Sequence, residues 1–148
     1  MRRKEQDYTV IVGCGRLGAT IANTLSDQDK NVMVVDKDED SFRKLSASFA
    51  GQTYVGDATN YSVLDEVSIK DATVVIIVTH GDNINIMLAQ IVKELYGVKR
   101  VIARLYDPER DVVYRELGIR TIYPAYLESE HLLDWYKKME GEESSNED

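Results

Sequence analysis

The sequence has little of what cross-links a chain or carries it into a membrane. Cysteine occurs once in 148 residues, as Cys14, so no disulfide can form within the chain and a reducing compartment is expected. No stretch approaches the roughly 18 apolar residues that a spanning helix requires. Residues 1–7 form a basic lead whose polar end is unlike the apolar segment of a secretory signal. We therefore expect a cytoplasmic protein that reaches a membrane only through a partner.

Positive charge is also scarce. The chain has 18 Lys and Arg residues against 26 Asp and Glu residues, for a net charge of −8. Because nucleic-acid affinity depends on a basic surface, we do not expect DNA or RNA binding. Histidine occurs only as His80 and His131, and no HxxH, HExxH or CxxC spacing indicates a metal site. Residues 141–148 are acidic and have no large apolar side chain, which predicts a disordered tail.

What the chain does have is a regular alternation of two patterns. Short, nearly continuous apolar runs are typical of strands buried on both faces of a parallel sheet. They lie at 8–13, 31–36, 53–56, 73–79, 100–105 and 121–123, and helical patterns separate or follow them at 16–26, 39–49, 61–67, 85–96, 109–117 and 127–139. The alternation predicts a single α/β domain over 8–140, a Rossmann-type doubly wound parallel sheet in strand order 3-2-1-4-5-6.

The most specific motif is the glycine-rich segment after the first strand. It runs from Gly13 to Gly18 and contains, in order, Gly13, Cys14, Gly15, Arg16, Leu17 and Gly18. Such a motif allows a tight turn, close approach of a phosphate to the backbone, and packing of helix on strand. The following helix directs free N–H groups and its positive dipole end at an anion. This context predicts a nucleotide site, whereas the motif alone also occurs in structural turns.

An acidic residue follows at the end of the second strand. Asp36 can accept hydrogen bonds from both ribose hydroxyls and would repel a 2′-phosphate, which favours NAD(H) or a plain adenine nucleotide over NADP. The adjacent cation of Lys37 would weaken that exclusion. The alternative is that Asp36 serves only as a cap or turn residue.

Two further loops lie at the same edge of the predicted sheet. Asp57, Ala58 and Thr59 follow the third strand, where Asp57 could accept from the adenine amine and Ala58 would leave room for the ring. Thr79 ends the fourth strand, at the switch point where ligands bind in such sheets. Each has a plainer interpretation: Asp57 begins a turn, and Thr79 simply ends a strand while Asp82 caps the next helix.

Two arginines are candidate phosphate ligands. Arg16 lies inside the glycine loop, where its guanidinium could contact a terminal phosphate with two hydrogen bonds. Arg104 ends the apolar fifth strand, where an unpaired charge would be costly. It therefore needs an anionic partner, either a ligand phosphate or a carboxylate such as Asp82 or Glu109.

Taken together, these elements resemble the N-terminal RCK, or TrkA-N, domain of potassium-uptake regulators. The resemblance covers about residues 8–124 in the family's order and includes the glycine motif, Val35-Asp-Lys37, Val55-Gly-Asp-Ala-Thr59, Val78-Thr79 with Asp82 and Asn85, and Val101-Ile-Ala-Arg104. It implies a protein that binds NAD(H), ATP, ADP or AMP without consuming it. It also implies a homodimer or larger ring that docks on a membrane-embedded potassium channel or transporter.

Two departures limit the resemblance. We expect no counterpart here of the family's usual C-terminal ligand-binding domain, and Ala125 stands where some members have an acid that helps to bind a divalent cation. We predict no catalytic residue and a regulatory function; the alternative is a small NAD-dependent oxidoreductase.

The C-terminal helical pattern has an apolar stripe at Leu132, Trp135, Tyr136 and Met139. This stripe predicts a contact between subunits, unless Trp135 packs on its own sheet.

Overall fold

The computed structural model describes the backbone of residues 7–146 and the side chains of residues 7–142. Its sheet consists of β1 (Thr9–Val12), β2 (Val32–Asp36), β3 (Gln52–Val55), β4 (Val74–Ile77), β5 (Arg100–Arg104) and β6 (Arg120–Ile122). The strands are all parallel and lie in the order β3-β2-β1-β4-β5-β6. The predicted Rossmann-type topology is therefore confirmed. Most of the predicted basic lead, residues 1–6, lies outside the described residues.

Helices connect the strands and continue the chain beyond β6. They are α1 (Arg16–Asp27), α2 (Tyr61–Glu66), α3 (Asp82–Glu94), α4 (Asp111–Glu116) and α5 (Pro124–Asn146). The carboxylate of Asp107 accepts from the Glu109 N–H before a short 3-10 turn that leads into α4. Gly118 follows α4 with a φ of 76°, a left-handed conformation that suits glycine and ends the helix. None of the described helices has both the length and the apolar character needed to cross a bilayer.

The central strand, β1, contributes side chains to the apolar core on both faces of the sheet. Val10 and Val12 pack in a large apolar cluster with side chains from α2 and α3. The intervening residue Ile11 packs in a second cluster together with α1. Because side chains alternate along a strand, β1 is buried on both faces, as its continuous apolar run predicts.

The predicted helix over 39–49 is present only in its first part, and there as a 3-10 helix. The structure has only a 3-10 helix at Glu39–Lys44, and the chain then continues without helical structure. Side chains of α1 supply the reason: Asn23 accepts from the Ser46 N–H and Ser26 accepts from the Ala50 N–H. These bonds hold the chain after the 3-10 helix against α1, and the apolar side chains at the expected spacing still pack in the second cluster.

The predicted disorder from residue 141 is also corrected, because α5 continues through Asn146. Glutamate is a good helix former, and extending an existing helix is far easier than starting one. A single internal glycine, here Gly141, costs only about 1 kcal/mol relative to alanine. Residues 147 and 148 lie outside the described part of the chain.

Candidate functional site

A cavity of about 540 Å³ lies at the carboxyl edge of the sheet, where the crossovers from β1 and β4 leave in opposite directions. This is the switch point at which open α/β sheets bind ligands. Its walls come from β1, β2, the loops after β3 and β4, and α3. They include Gly13, Gly15, Asp36, Lys37, Asp38, Ser41, Lys44, Asp57, Ala58, Thr59, Thr79, His80 and Ile84.

The three motif glycines have different roles. Gly13 has a φ of 105°, and a Cβ atom on it would lie 2.8 Å from the Val78 carbonyl oxygen. A Cβ atom on Gly18 would overlap the Gly13 carbonyl oxygen. Gly15 differs, because a Cβ atom there would meet only the His80 ring, 3.7 Å from Nε2. Gly13 and Gly18 therefore shape the loop, whereas Gly15 borders open space in the cavity.

The other motif residues do not line the cavity. Cys14 is buried, and its Sγ lies 3.4 Å from the Ser41 carbonyl oxygen. Burial raises the pKa of this thiol, and the nearby Asp36 carboxylate raises it further. Leu17 packs in the second apolar cluster, and the Arg16 side chain is exposed at the start of α1.

The start of α1 offers uncapped backbone N–H groups to this cavity. Gly15 occupies the N-cap position and makes no side-chain cap, and the first turn of α1 has no acidic residue. By contrast, α2 is capped by Asn60, whose side chain accepts from the Ser62 N–H. An uncapped N-terminus with its positive dipole end is suited to an anion.

Asp36 connects the glycine loop to the end of β2. Its Oδ2 accepts from the Cys14 N–H at 2.7 Å, and its Oδ1 accepts from the Asp38 N–H at 2.8 Å. The half-buried carboxylate also lines the cavity. Because each carboxylate oxygen can accept more than one bond, Asp36 has acceptor capacity left for a ligand. The turn role considered from sequence is thus present together with a cavity-facing position.

The loop after β3 is likewise both a turn and a wall. Asp57 Oδ1 accepts from the Thr59 hydroxyl at 2.7 Å and from the Thr59 N–H at 2.9 Å. These bonds, the hydroxyl first, lower the pKa of Asp57, and the Lys37 charge lowers it slightly further. Ala58 is only 6% exposed and presents a small side chain to the cavity.

The described contacts of Arg104 include no carboxylate, and a ligand phosphate as its partner stays a prediction. Its guanidinium donates from Nη2 to the carbonyl oxygens of Val78 and Thr79, at 2.8 and 3.0 Å, and lies over the Tyr106 ring. Asp82, one of the suggested carboxylates, instead accepts from the Tyr106 and Asp107 N–H groups. Two backbone carbonyl dipoles and an aromatic face stabilise the buried cation, so Arg104 is not among the cavity-lining residues.

Asn85 completes a buried network that the sequence reasoning did not assign to the site. This fully buried side chain accepts from both the N–H and the hydroxyl of Thr79. It donates to the carbonyl oxygens of Thr79 and Arg104 at 3.0 and 2.8 Å. The network joins the ends of β4 and β5 to the first turn of α3 and fixes Thr79 in the cavity wall.

Four polar residues of the cavity wall were also missed. Asp38, Ser41 and Lys44 reach the cavity because the segment after β2 forms a 3-10 helix at the cavity edge. His80 follows Thr79 directly, and its position after β4 was the available signal. In total the walls carry three carboxylates, at Asp36, Asp38 and Asp57, and two ammonium groups, at Lys37 and Lys44. Among the described side chains, those of residues 7–142, no cluster of His, Cys, Asp and Glu is arranged to hold a metal ion.

Sequence comparison places this geometry among known proteins. The TrkA-N domain model matches residues 9–124. The Trk system potassium uptake protein TrkA of Streptomyces coelicolor is 43% identical over 115 residues, which is 78% of this chain and 52% of that protein. A TrkA homolog of Methanothermobacter thermautotrophicus is 29% identical over 112 residues, 76% of this chain and 51% of the relative. The chain thus spans about half the length of these curated relatives.

Solved structures share the fold at low sequence identity. The TrkA-N domain of the inner membrane protein ybaL from Escherichia coli aligns with a TM-score of 0.78 at 15% identity, over 87% of this chain and 96% of that one. GsuK bound to ADP aligns with a TM-score of 0.73 at 24% identity, over 86% of this chain and 33% of that one. The Kef CTD of Shewanella denitrificans in its AMP-bound form aligns with a TM-score of 0.72 at 20% identity, over 85% of this chain and 77% of that one. With a family match over more than half of its length, the chain belongs to the TrkA-N domain family.

Proposed function

We propose that residues 8–140 form the nucleotide-sensing unit of a potassium channel or transporter regulator, which binds an adenine nucleotide without converting it. The observation that carries the proposal is the pairing of Asp36 with the glycine loop. The Asp36 carboxylate is held by the Cys14 N–H and faces the same cavity as Gly15. In this proposal Asp36 accepts from the ribose, and the neighbouring glycine loop holds the phosphate.

The named relatives support the biological setting. The Streptomyces protein is a potassium uptake protein, and two structural neighbours are described with ADP or AMP bound. We therefore propose NAD(H), ATP, ADP or AMP as the ligand and a membrane-embedded potassium channel or transporter subunit as the partner. In this proposal the protein works in the cytoplasm and is associated with the membrane peripherally, through that partner.

We also propose that the protein does not convert the nucleotide that it binds. The alternative hypothesis is an enzyme that does. The cavity walls place no hydroxyl or thiol nucleophile in a hydrogen bond with a histidine base among the described contacts. A small NAD-dependent oxidoreductase would instead reduce NAD stoichiometrically with some metabolite. A sensor is favoured if the bound nucleotide is recovered unchanged and if no candidate substrate changes the nicotinamide absorbance of added NAD.

Mass spectrometry of the small molecules that copurify with the protein tests the ligand class. We expect an adenine nucleotide or NAD(H), and calorimetry should then give a binding stoichiometry of one per chain. Should neither NADH, AMP, ADP nor ATP bind, the chain would be an interaction module with a degenerate site and the proposal would be wrong.

We further propose that α5 contributes to a homodimer or larger ring. Its large apolar side chains are all 55–68% exposed, namely Tyr126, Leu127, Leu132, Leu133, Trp135, Tyr136 and Met139. Trp135 therefore does not pack on its own sheet; its ring stacks on His131 of the same helix. An apolar surface of this extent is unusual on a monomer and typical of an interface core.

Light scattering tests this assembly. The double variant Leu132→Asp, Trp135→Ser should convert the native oligomer to a monomer, because it places a charge and removes an aromatic ring at the contact. A matched control, Glu130→Ser with Lys137→Ser, changes two polar positions of the same helix and should leave the oligomer intact. A native monomer at tens of micromolar, or an oligomer indifferent to the first pair, would contradict the proposal.

A further inference from the structure

We propose that His80 contacts the phosphates of the bound nucleotide and makes its affinity depend on pH, with tighter binding when the imidazole is protonated. This inference rests on the proposed nucleotide function and adds to it a residue that senses both phosphate and proton. The geometry of the glycine loop carries it.

The His80 ring and the glycine loop form two sides of one gap. His80 lines the cavity directly after Thr79, and its Nε2 and Cε1 edge faces Gly15. A methyl group on Gly15 would lie 3.7 Å from Nε2 and 3.8 Å from Cε1. Because Gly15 is where the backbone approaches a phosphate, a phosphate oxygen in that gap would come within reach of the imidazole.

The arginines that were candidates for this contact lie elsewhere. Arg104 donates to the carbonyl oxygens of Val78 and Thr79 and is absent from the cavity wall. Arg16 is exposed at the start of α1 and is also absent from that wall. Lys37 and Lys44 come from the segment that follows β2, on the side of Asp36. Among the described wall residues, His80 is thus the side chain able to carry positive charge from the β4 side.

The charges around His80 determine whether the nucleotide affinity rises or falls with pH. The cavity walls that face it carry Asp36, Lys37, Asp38, Lys44 and Asp57, while Arg16 opens α1 and Asp82 opens α3. The Asp82 carboxylate is occupied by the N–H groups of Tyr106 and Asp107. These charges are present with and without ligand, whereas a bound phosphate adds negative charge next to the imidazole. Binding should therefore take up a proton, and affinity should fall as pH rises through the imidazole range.

NAD⁺ is the appropriate probe because its own phosphates do not obscure the result. A terminal phosphate monoester, as in AMP or ADP, gains its second proton near pH 6 and would add its own pH dependence. The pyrophosphate of NAD⁺ is a diester and has no such proton. Adenosine, which has no phosphate, reports the pH dependence of every other contact in the cavity.

Calorimetry at constant ionic strength, at about pH 6 and about pH 8.5, tests the inference on the intact chain. The native protein should bind NAD⁺ about three- to tenfold more tightly at the lower pH, the range expected for one charge-assisted contact at a partly exposed site. His80→Gln should bind with little difference between the two pH values, and His80→Lys should bind tightly at both. His131→Gln removes the only other histidine, on α5, and should behave as the native protein.

The outcomes separate this inference from the proposed function. A His80→Gln protein that keeps the native pH ratio, or adenosine that shows the same ratio, overturns the role of His80 and leaves nucleotide binding intact. Failure of NAD⁺, AMP, ADP and ATP to bind at either pH overturns the proposed function, and this inference with it. Thermal melting of each variant verifies that a lost affinity does not come from unfolding.

Discussion

Replacing Gly15 with alanine should weaken ligand binding while leaving the protein folded. The residue has φ −78° and ψ −166°, an extended conformation that alanine adopts freely. The added methyl group would meet only the His80 ring, at ordinary van der Waals distance. Yet it would occupy the gap in which we expect the phosphate to approach the backbone.

The stability effect should be small because two terms oppose each other. Alanine restricts the unfolded chain, which stabilises the fold by about 0.4–1 kcal/mol. At an N-cap position, alanine is less favourable than glycine by a comparable amount, about 0.5–1 kcal/mol. Binding has no such compensation: inserting a methyl group into a fitted contact typically costs about 1–3 kcal/mol, or roughly 5- to 150-fold in Kd.

Gly18→Ala is the matched control, since it adds the same methyl group to the same motif. There the Cβ atom would overlap the Gly13 carbonyl oxygen, so the loop itself must shift. We expect a loss of about 2–3 kcal/mol and a melting temperature lower by roughly 4–12 °C. Calorimetry with NADH and ADP measures binding, and thermal melting measures stability. A Gly15→Ala protein that binds like the native one, or melts as early as Gly18→Ala, would refute the assignment of the gap.

Three further variants test other contacts. Asp36→Ala should weaken NADH and AMP by about 1–3 kcal/mol, and native protein that binds NADPH as tightly as NADH would contradict ribose selection. Arg16→Ala should weaken ATP and ADP more than AMP; equal losses would show that Arg16 only supports the loop. Thr59→Val removes a hydroxyl that lowers the Asp57 pKa, so a carboxyl NMR titration should show that pKa rising. Because the native pKa is depressed, the bond's contribution to stability is present above pH 4 or so and lost on acidification; an unchanged titration would contradict the bond.

The fold could be predicted because its signals are local and mutually consistent. The continuous apolar runs, the glycine motif and the capping residues each indicate the same α/β alternation, and crossover handedness then restricts the strand order. The 39–49 segment shows the limit of this reasoning. Its apolar spacing is helical, but Asn23 on α1 accepts from the Ser46 N–H, and Ser26 accepts from the Ala50 N–H just beyond the segment. Such long-range bonds leave no mark in a local pattern.

The position of a residue at the cavity could be predicted where the backbone determines it, and less well where side chains compete for contacts. Gly13, Gly15 and Asp36 line the cavity because the strand ends bring them there. Arg104 also stands at a strand end, but its guanidinium donates to the carbonyl oxygens of Val78 and Thr79, just after β4. The sequence shows that a cation is present, whereas only packing decides whether it faces a ligand.

The charges of the cavity indicate how an acidic chain could hold a polyanion. Side chains alone give the walls three carboxylates against two ammonium groups, which would repel phosphate. The favourable field must therefore come from the backbone, and α1 supplies it: its N-terminus has no side-chain cap and no acid in the first turn. At α3, where Asp82 does lie in the first turn, the carboxylate is engaged by the loop after β5. It follows that the helix end attracts phosphate in general. In our proposals, the choice among nucleotides then belongs to the side chains around it, Asp36 at the ribose and His80 at the phosphates.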